Sequence, residues 1–305
     1  LTFIILIFNI DIVHARSRAP AWSSLIACNL TRRKFVTTFH GTYNFNNKLK
    51  KFYNSVMVKS KLTIAGSNFI FKHISENYEK YLNHKKKLLV IFRGINLNYY
   101  NPNNISDIKL LRLKKEWGID DAKFKVLLPG RLTNWKGQLN FIEALNILIE
   151  DYKSDKFQAI ILGSDQGRNV YKKKLQSLID RYNLNKKIIF IEHCKEMPLA
   201  YAIANIVVSS SIEPEAFGRV AVEAQSMEKI IIASNIGGSN ETIVDKKTGF
   251  LFESGDPNDL SKKIINAITM DEVSLKLIGK EGRKNVIKKF NVEKMCFSTY
   301  SEYKR

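Results

Sequence analysis

The sequence predicts two doubly wound α/β domains in tandem, and three observations carry that prediction. Short β-branched or aliphatic runs alternate with longer amphipathic stretches through all 305 residues. Those runs are nearly continuous in apolar character, the pattern of parallel strands covered on both faces. The alternation is interrupted once, by an Asn-rich segment over 96–106 that contains Pro102 and shows no periodicity. A chain of this length is a soft prior for two domains, each able to bury its own core.

In the first half the strand candidates are 10–14, 34–39, 61–65 and 88–92. Helical candidates lie between them at about 20–31, 47–58 and 68–78. This sets residues 1–100 as an N-terminal domain and 101–122 as a linker. The second alternation runs through strand 125–128, helix 136–150, strand 159–163 and helix 168–182. It continues with strand 187–192, helix 197–204, strand 206–209, helix 218–227 and strand 229–233. Helices follow at 259–269 and 273–289, which closes a second domain over 123–290. Residues 291–305, with Phe297, Tyr300 and Tyr303, are expected to return to the first domain as a strut or to end as a frayed amphipathic tail. The chain opens at Leu1 in an apolar run, and the N-terminal domain is expected to be incomplete.

Composition narrows the function classes. A hydrophobic fraction of 45% with 6 Pro and 15 Gly excludes a disordered or collagen-like chain. No apolar run approaches the ~20 residues that span a bilayer. Cys28, Cys194 and Cys296 stand far apart without a CxxC pair, which argues against a disulfide framework or zinc site and fits a reducing cytoplasm. Charge is uneven: residues 1–115 hold 20 basic and 4 acidic side chains, the remainder 29 and 25. So basic a first half suggests an anionic partner, such as a phosphorylated glycolipid, a membrane surface or nucleic acid, or else a solvated face of a Lys-rich protein. No helix-turn-helix, zinc finger or aromatic RNA-binding signature marks nucleic acid as a specific ligand.

In doubly wound sheets ligands bind outside the carboxyl ends of the strands. After the strand ending at Leu128 comes Gly130-Arg131-Leu132-Thr133-Asn134-Trp135-Lys136-Gly137, leading into a helix. Arg131 as a planar fork and Lys136 as a point charge, beside free helix-start N–H groups, make a candidate diphosphate site. A solvated basic loop is the plainer alternative. The second cluster follows the strand ending at Ser209: Glu215-Ala216-Phe217-Gly218-Arg219-Val220-Ala221-Val222-Glu223. Ala216, Phe217 and Gly218 offer N–H donors, and a carboxylate near a helix start can accept the paired hydroxyls of a sugar or ribose. Two Glu eight residues apart also occur by chance. His40, in Thr37-Thr38-Phe39-His40-Gly41 at a strand end, can hydrogen-bond a hydroxyl or phosphate oxygen, or serve as a structural histidine. His14 is given a supporting role there, and His73, His84 and His193 are expected at the surface or in packing. The P-loop, GxGxxG, GxSxG and HExxH motifs are missing from the sequence, as is an Asp-x-Asp pair for a metal on a nucleotide-sugar.

In this order, Gly130-Arg131-x4-Lys136-Gly137 and Glu215-x-Phe217-Gly218-x4-Glu223 resemble glycosyltransferase family 4. Ile236-Gly237-Gly238-Ser239-Asn240-Glu241, Gly249-Phe250-Leu251 and Arg93-Gly94-Ile95-Asn96 extend the resemblance over essentially the whole chain. His14-Ala15-Arg16-Ser17-Arg18-Ala19-Pro20-Ala21-Trp22 looks like a bacterial subgroup assigned to lipopolysaccharide-type assembly. The resemblance implies the GT-B fold, two Rossmann-like domains facing across a cleft, and a retaining, metal-independent enzyme with no cofactor beyond its nucleotide diphosphate sugar. It implies that Arg131 and Lys136, with Gly130, hold the donor diphosphate and Glu223 the ribose hydroxyls. Glu215, with the amides of Phe217 and Gly218, would hold the transferred sugar, and His40 would face that sugar. Catalysis is thus assigned to His40, Arg131, Lys136 and Glu215. The family's glycine-rich loop after its first strand has no counterpart in the sequence, and Asn96 stands where Asp is usual.

The expected reaction transfers a hexose from a UDP- or GDP-type donor to a glycolipid or other anionic, lipid-linked cell-envelope glycan. The expected location is the cytoplasm, at the inner face of the membrane, with peripheral contact through the basic N-terminal domain. A nucleotide-sugar epimerase of the same fold and a non-catalytic anion-binding protein are the competing readings. The first needs acid/base groups around the sugar that the sequence does not single out. The second leaves the Arg131/Lys136 and Glu215/Glu223 pairs unexplained.

Overall fold

The computed structural model describes residues 1–43, 47–82 and 87–304; His84 lies outside them. The chain divides into two compact units, one of Leu1–Gly94 with Val292–Arg305 and one of Ile95–Asn291.

Unit 1 opens with a short helix α1 (Thr2–Ile7), which buries Ile5 and leaves Phe3 and Ile7 exposed. The alternation expected from the sequence follows. It runs β1 (Ile12–Ala15), α2 (Arg18–Thr31), β2 (Lys34–Phe39), α3 (Lys48–Asn54), a 3-10 turn over Ser55–Val58, β3 (Leu62–Ala65), α4 (Asn68–Tyr78) and β4 (Lys87–Val90). Local chemistry sets the helix starts: the side chains of Asn47 and Ser67 accept the N–H of Lys50 and Ile70. The strands pair in parallel in the order β1-β2-β3-β4. Right-handed crossovers that always step the same way place their connections on one face. Period-two alternation shows that face: Thr37 donates to the Met57 carbonyl at 2.6 Å, and Phe39 packs on Tyr78.

Unit 2 begins with α5 (Asp107–Glu116), then β5 (Phe124–Pro129), α6 (Gln138–Glu150), β6 (Phe157–Leu162), α7 (Asn169–Arg181) and β7 (Ile188–Ile191). It continues through α8 (Met197–Ile203), β8 (Ile206–Ser209), α9 (Arg219–Ser226), β9 (Ile230–Ser234), α10 (Ser239–Thr242) and β10 (Phe250–Phe252), then α11 (Pro257–Thr269) and α12 (Glu272–Lys289). The strand order is β10-β9-β8-β5-β6-β7, all parallel. Winding therefore reverses between β5 and β8, so their carboxyl ends flank the crevice where such sheets bind ligands. β6 is buried along its whole length, as both-face covering requires. Its Phe157 joins Val126, Phe141, Leu145, Ile161 and Ile206 in the core, and burying such a side chain contributes ~1.5–3 kcal/mol.

Two boundary expectations need correction, and the C-terminal helix uses only part of its expected anchors. Residues 101–122 are not a linker: Ser106 caps α5, Trp117 is buried, and Lys109 pairs with Glu196 at 2.9 Å inside unit 2. Residues 95–100 belong to unit 2 as well, because Ile95 donates its N–H to the Phe290 carbonyl at 2.8 Å and Tyr100 is buried. Finally, α13 (Val292–Lys304) is a constituent of unit 1, but its expected aromatic anchors are only partly used. Met295 and Tyr303 pack on the cluster of Val36, Leu62, Ile64 and Ile91, while Phe297 and Tyr300 stay exposed. Its docking is reinforced by Lys87 on Glu302 at 2.6 Å and by Lys34, which donates to the Glu302 carbonyl at 3.2 Å.

Candidate active site

Unit 2 brings the two sequence-predicted clusters together at its winding reversal. Lys136 Nζ lies 2.7 Å from Glu215 Oε1, with both side chains largely buried. Ser211 donates to the same oxygen at 2.6 Å. The ammonium also rests 4.4 Å from the Trp135 ring centroid. Lys136 is thus a cation fixed in place rather than a flexible surface lysine.

The backbone explains why these positions need their residue types. Gly137 sits at φ +69°, and a Cβ there would lie 1.8 Å from the Ser210 carbonyl. Only glycine allows the loop after β5 to press on the loop after β8. Ser210 seals that approach by donating to the Lys136 and Gly137 carbonyls at 3.0 Å, and Ile212 donates its N–H to the Trp135 carbonyl at 2.8 Å. A second close approach backs the Glu215 loop: Gly238 donates its N–H to the Glu215 carbonyl at 2.7 Å, and a Cβ on Gly238 would meet the Phe217 backbone at 2.5 Å. The Ile236-Gly237-Gly238 motif therefore shapes the site from behind.

Arg131 is exposed and enters no ion pair with the described residues. Its loop is braced by Gln138, which is fully buried, donates to the Arg131 carbonyl at 2.9 Å and accepts from the Tyr171 hydroxyl at 3.2 Å. Sequence reasoning missed Gln138; a buried amide at a helix start carries no local signal. Gly130 leaves room for the Lys136 stem, which passes 3.6 Å from where its Cβ would be. Phe217 turns its ring inward against Phe290, at 5.5 Å between centroids. The N–H groups of Phe217 and Gly218 find no acceptor among the described residues and stand at the start of α9.

Glu223 is a buried carboxylate with a partner on each oxygen. It is only 5% exposed, with Oε2 accepting from the Tyr201 hydroxyl at 2.7 Å and Oε1 from Arg219 Nε at 2.5 Å. Burial, and then the Glu223 charge, push the Tyr100 and Tyr201 phenols well above their ordinary range, so both stay protonated donors. With Tyr100 as a third donor, the carboxylate keeps one lone-pair site of its four for a further donor.

In unit 1, His40 stands just past the end of β2. Arg16 Nε donates to its Nε2 at 3.2 Å, which assigns the proton to Nδ1, a buried atom with no partner among the described residues. Burial, then the charges of Arg93 and Arg16 and the neighbouring His14, lower its pKa to about 4. His14 is likewise lowered to about 4, by burial and then Arg16. It spans two hydroxyls, Tyr303 at 2.5 Å and Thr38 at 2.7 Å, which makes it a packed, hydrogen-bonded group of unit 1. His73 is half-buried beside Phe39 and Tyr78, and His193 is exposed.

With this geometry in view, the comparisons with known proteins agree with one another. The glycosyl transferases group 1 family matches residues 111–285, and glycosyltransferase family 4 matches residues 1–99. The chain belongs to this group 1/family 4 class of transferases, and its two parallel-sheet units are those of the GT-B fold. A glycosyltransferase from Rickettsia africae ESF-5 superposes with a TM-score of 0.89 at 38% identity, over 99% of this chain and 78% of that one. Anabaena HepE, solved in complex with UDP and glucose, shares the fold at a TM-score of 0.85 and 24% identity, over 96% and 78%. The spore coat protein SA of Bacillus subtilis is 24% identical over 97% of this chain and 78% of its own length.

Proposed function

We propose that this transferase moves a hexose from a nucleotide diphosphate sugar, of UDP type, to an anionic or lipid-linked glycan acceptor, with retention at the anomeric carbon. The observation that carries the reading is the convergence of Lys136, Glu215 and Ser211 where the winding of unit 2 reverses. The UDP bound to HepE, a protein of the same fold, supports the choice of base.

Arg131 and Lys136 would neutralise the charge that develops on the departing diphosphate. The C1–O(phosphate) bond breaks and its electron pair leaves with the diphosphate. The acceptor oxygen bonds C1 on the same face, and its proton passes to the departing phosphate oxygen. Preorganised donors and charges of this kind are commonly the largest catalytic contribution. Glu215 and the N–H groups of Phe217 and Gly218 would take the sugar hydroxyls, and Glu223 the ribose through its remaining lone-pair site. With two cations assigned to the diphosphate and no Asp-x-Asp pair in the sequence, no metal is assigned to the reaction.

Contact with a membrane would run through unit 1, where Leu49, Phe52 and Tyr53 are exposed and Lys59 lies 4.9 Å over the Trp22 ring and 4.7 Å over that of Phe52. The test of the function is a thermal-shift panel of UDP, GDP and ADP, followed by sugar-nucleotide consumption with and without lipid acceptor. Stabilisation by UDP that is lost in Lys136→Ala is expected. Absence of binding to all three nucleotides would refute the reading.

A further inference from the structure

Unit 1 contains a cavity of about 270 Å³ on the α13 face of its sheet. The sheet contributes His14, Thr38 and Ile64, and the segments after the strands contribute Arg16, His40 and Arg93. The helix α13 closes it with Met295, Cys296, Thr299, Tyr300 and Tyr303, whose spacing is that of one helical face. Among the described residues no carboxylate lines it. We propose that this cavity binds the phosphate group of the acceptor, with Arg16 and Arg93 as its cationic clamp.

The argument rests on charge, size and preorganisation. Arg16 is exposed, uses Nε on His40, and forms no ion pair with the described residues, so its two terminal amino groups remain available as a fork. Arg93 is placed by a local device. A Cβ on Gly66 would meet its Cγ at 3.3 Å, so this glycine after β3 leaves room for the stem of the arginine after β4. His14 is held neutral by burial and Arg16, and His40 by burial, Arg93, Arg16 and His14, which places the positive charge of the cavity on the two guanidinium groups. His14 in turn fixes the hydroxyls of Thr38 and Tyr303, and His40 Nδ1–H is a buried donor without a partner among the described residues. A cation would find no counter-charge among the described residues that line this cavity. The volume is below the ~300–1,000 Å³ of sites for drug-sized ligands, which limits the occupant to a phosphate and about one sugar ring.

The proposal rests on the reading of unit 2 as the donor site, and its test separates the two. Protein saturated with UDP is titrated by calorimetry with glucose 6-phosphate and with glucose, and is co-sedimented with vesicles of phosphatidic acid or of phosphatidylcholine. Binding of the phosphate sugar but not glucose, weakened at least tenfold by Arg16→Ala and by Arg93→Ala while UDP affinity holds, supports a soluble phosphate acceptor. Preferential binding to phosphatidic acid with the same loss supports a lipid-linked one. Arg93→Lys is expected to fall between, since it keeps the charge and loses the fork. Arg16 is exposed, so its variant removes charge without opening the core. Phosphate binding that is absent, or equal in wild type and both alanine variants, overturns the proposal with the donor reading intact. Failure of UDP to bind the wild type refutes the donor reading instead.

Discussion

In unit 2 the chain leaves β5 toward β6 and β7, then returns to lay β8, β9 and β10 on the other side. In unit 1 the strands follow one another across the sheet in chain order, with no reversal among the described strands. The reversal splays the loops after β5 and β8 apart at their roots, and glycines then press them together further out. The result is a polar cluster built from backbone contacts, with Lys136 and Glu215 at its centre. Without such a crevice, unit 1 forms its cavity from a sheet face and a helix that comes from nearly the far end of the sequence. The first site is specified by turns, the second by side chains.

The largest effect should come from the centre of the unit 2 site. Lys136→Ala is expected to lower kcat/KM by ~10²–10³-fold, the size of losing one preorganised group that meets developing charge. Removal of the ammonium also leaves the half-buried Glu215 carboxylate with Ser211 and Ser209 as its donors. Glu215→Gln in the same background separates the two contributions by steady-state kinetics. A Lys136→Ala enzyme with wild-type turnover would remove the ion pair from the chemistry.

Next in size is Gly137→Ala. It combines a left-handed backbone with a Cβ 1.8 Å from the Ser210 carbonyl, so the two loops must separate. A loss of about 3 kcal/mol is expected, or ~6–12 °C in the melting of a domain of this size, along with UDP binding. No single position in unit 1 should show so sharp a backbone effect. Gly66→Ala, whose Cβ would meet only the flexible stem of Arg93, should leave melting nearly unchanged.

Acid should reverse the asymmetry. His14 and His40 have folded pKa values of about 4, below their unfolded value of about 6.5. The unfolded chain therefore binds more protons than the folded chain between these values, and stability falls as pH drops through that window. The groups that face His40 are Arg93, Arg16 and His14, and Arg16 faces His14; none offers a negative charge to an imidazolium. In unit 2 the histidine is the exposed His193. Fluorescence melting of single-tryptophan variants from pH 7 to pH 4 should show the transition reported by Trp22 moving down before that reported by Trp117 and Trp135. Equal shifts would indicate that burial of the two imidazoles does not control the acid response.

How far each site could be read from sequence follows the same division. The strands of both units were legible because their apolar runs are local, and the Gly130–Gly137 and Glu215–Glu223 loops because turns write their chemistry into adjacent residues. Helix α5 was not, since it buries none of its own residues and its mixed charge reads as a linker. The three-residue β10 was too short to show a period. The tyrosine partners of Glu223 were not legible, because Tyr201 and Tyr100 lie 22 and more residues away and carry no motif; only Arg219 stood in the quoted loop. Arg16 and Arg93 stood within quoted motifs, yet their convergence depends on the strand order of unit 1 and on α13.

That last dependence gives the smallest effect. Tyr303 donates or accepts at His14 Nδ1 across 289 positions of sequence, at 2.5 Å, and its ring meets the imidazole edge-on at 5.9 Å between centroids. Tyr303→Phe keeps the ring and removes the hydroxyl, leaving one nitrogen of a half-buried imidazole without its partner. The expected cost is ~1 kcal/mol, a drop of ~4–8 °C in the melting of a domain near 100 residues. The Trp22 transition should carry this change, and the Trp117/Trp135 transition should not. Because His14 also holds Thr38 in the same cavity, phosphate affinity should weaken modestly in parallel. A Tyr303→Phe protein that melts like the wild type would mean that α13 is held by Met295 and the lysine contacts to Glu302, and that the hydroxyl is incidental.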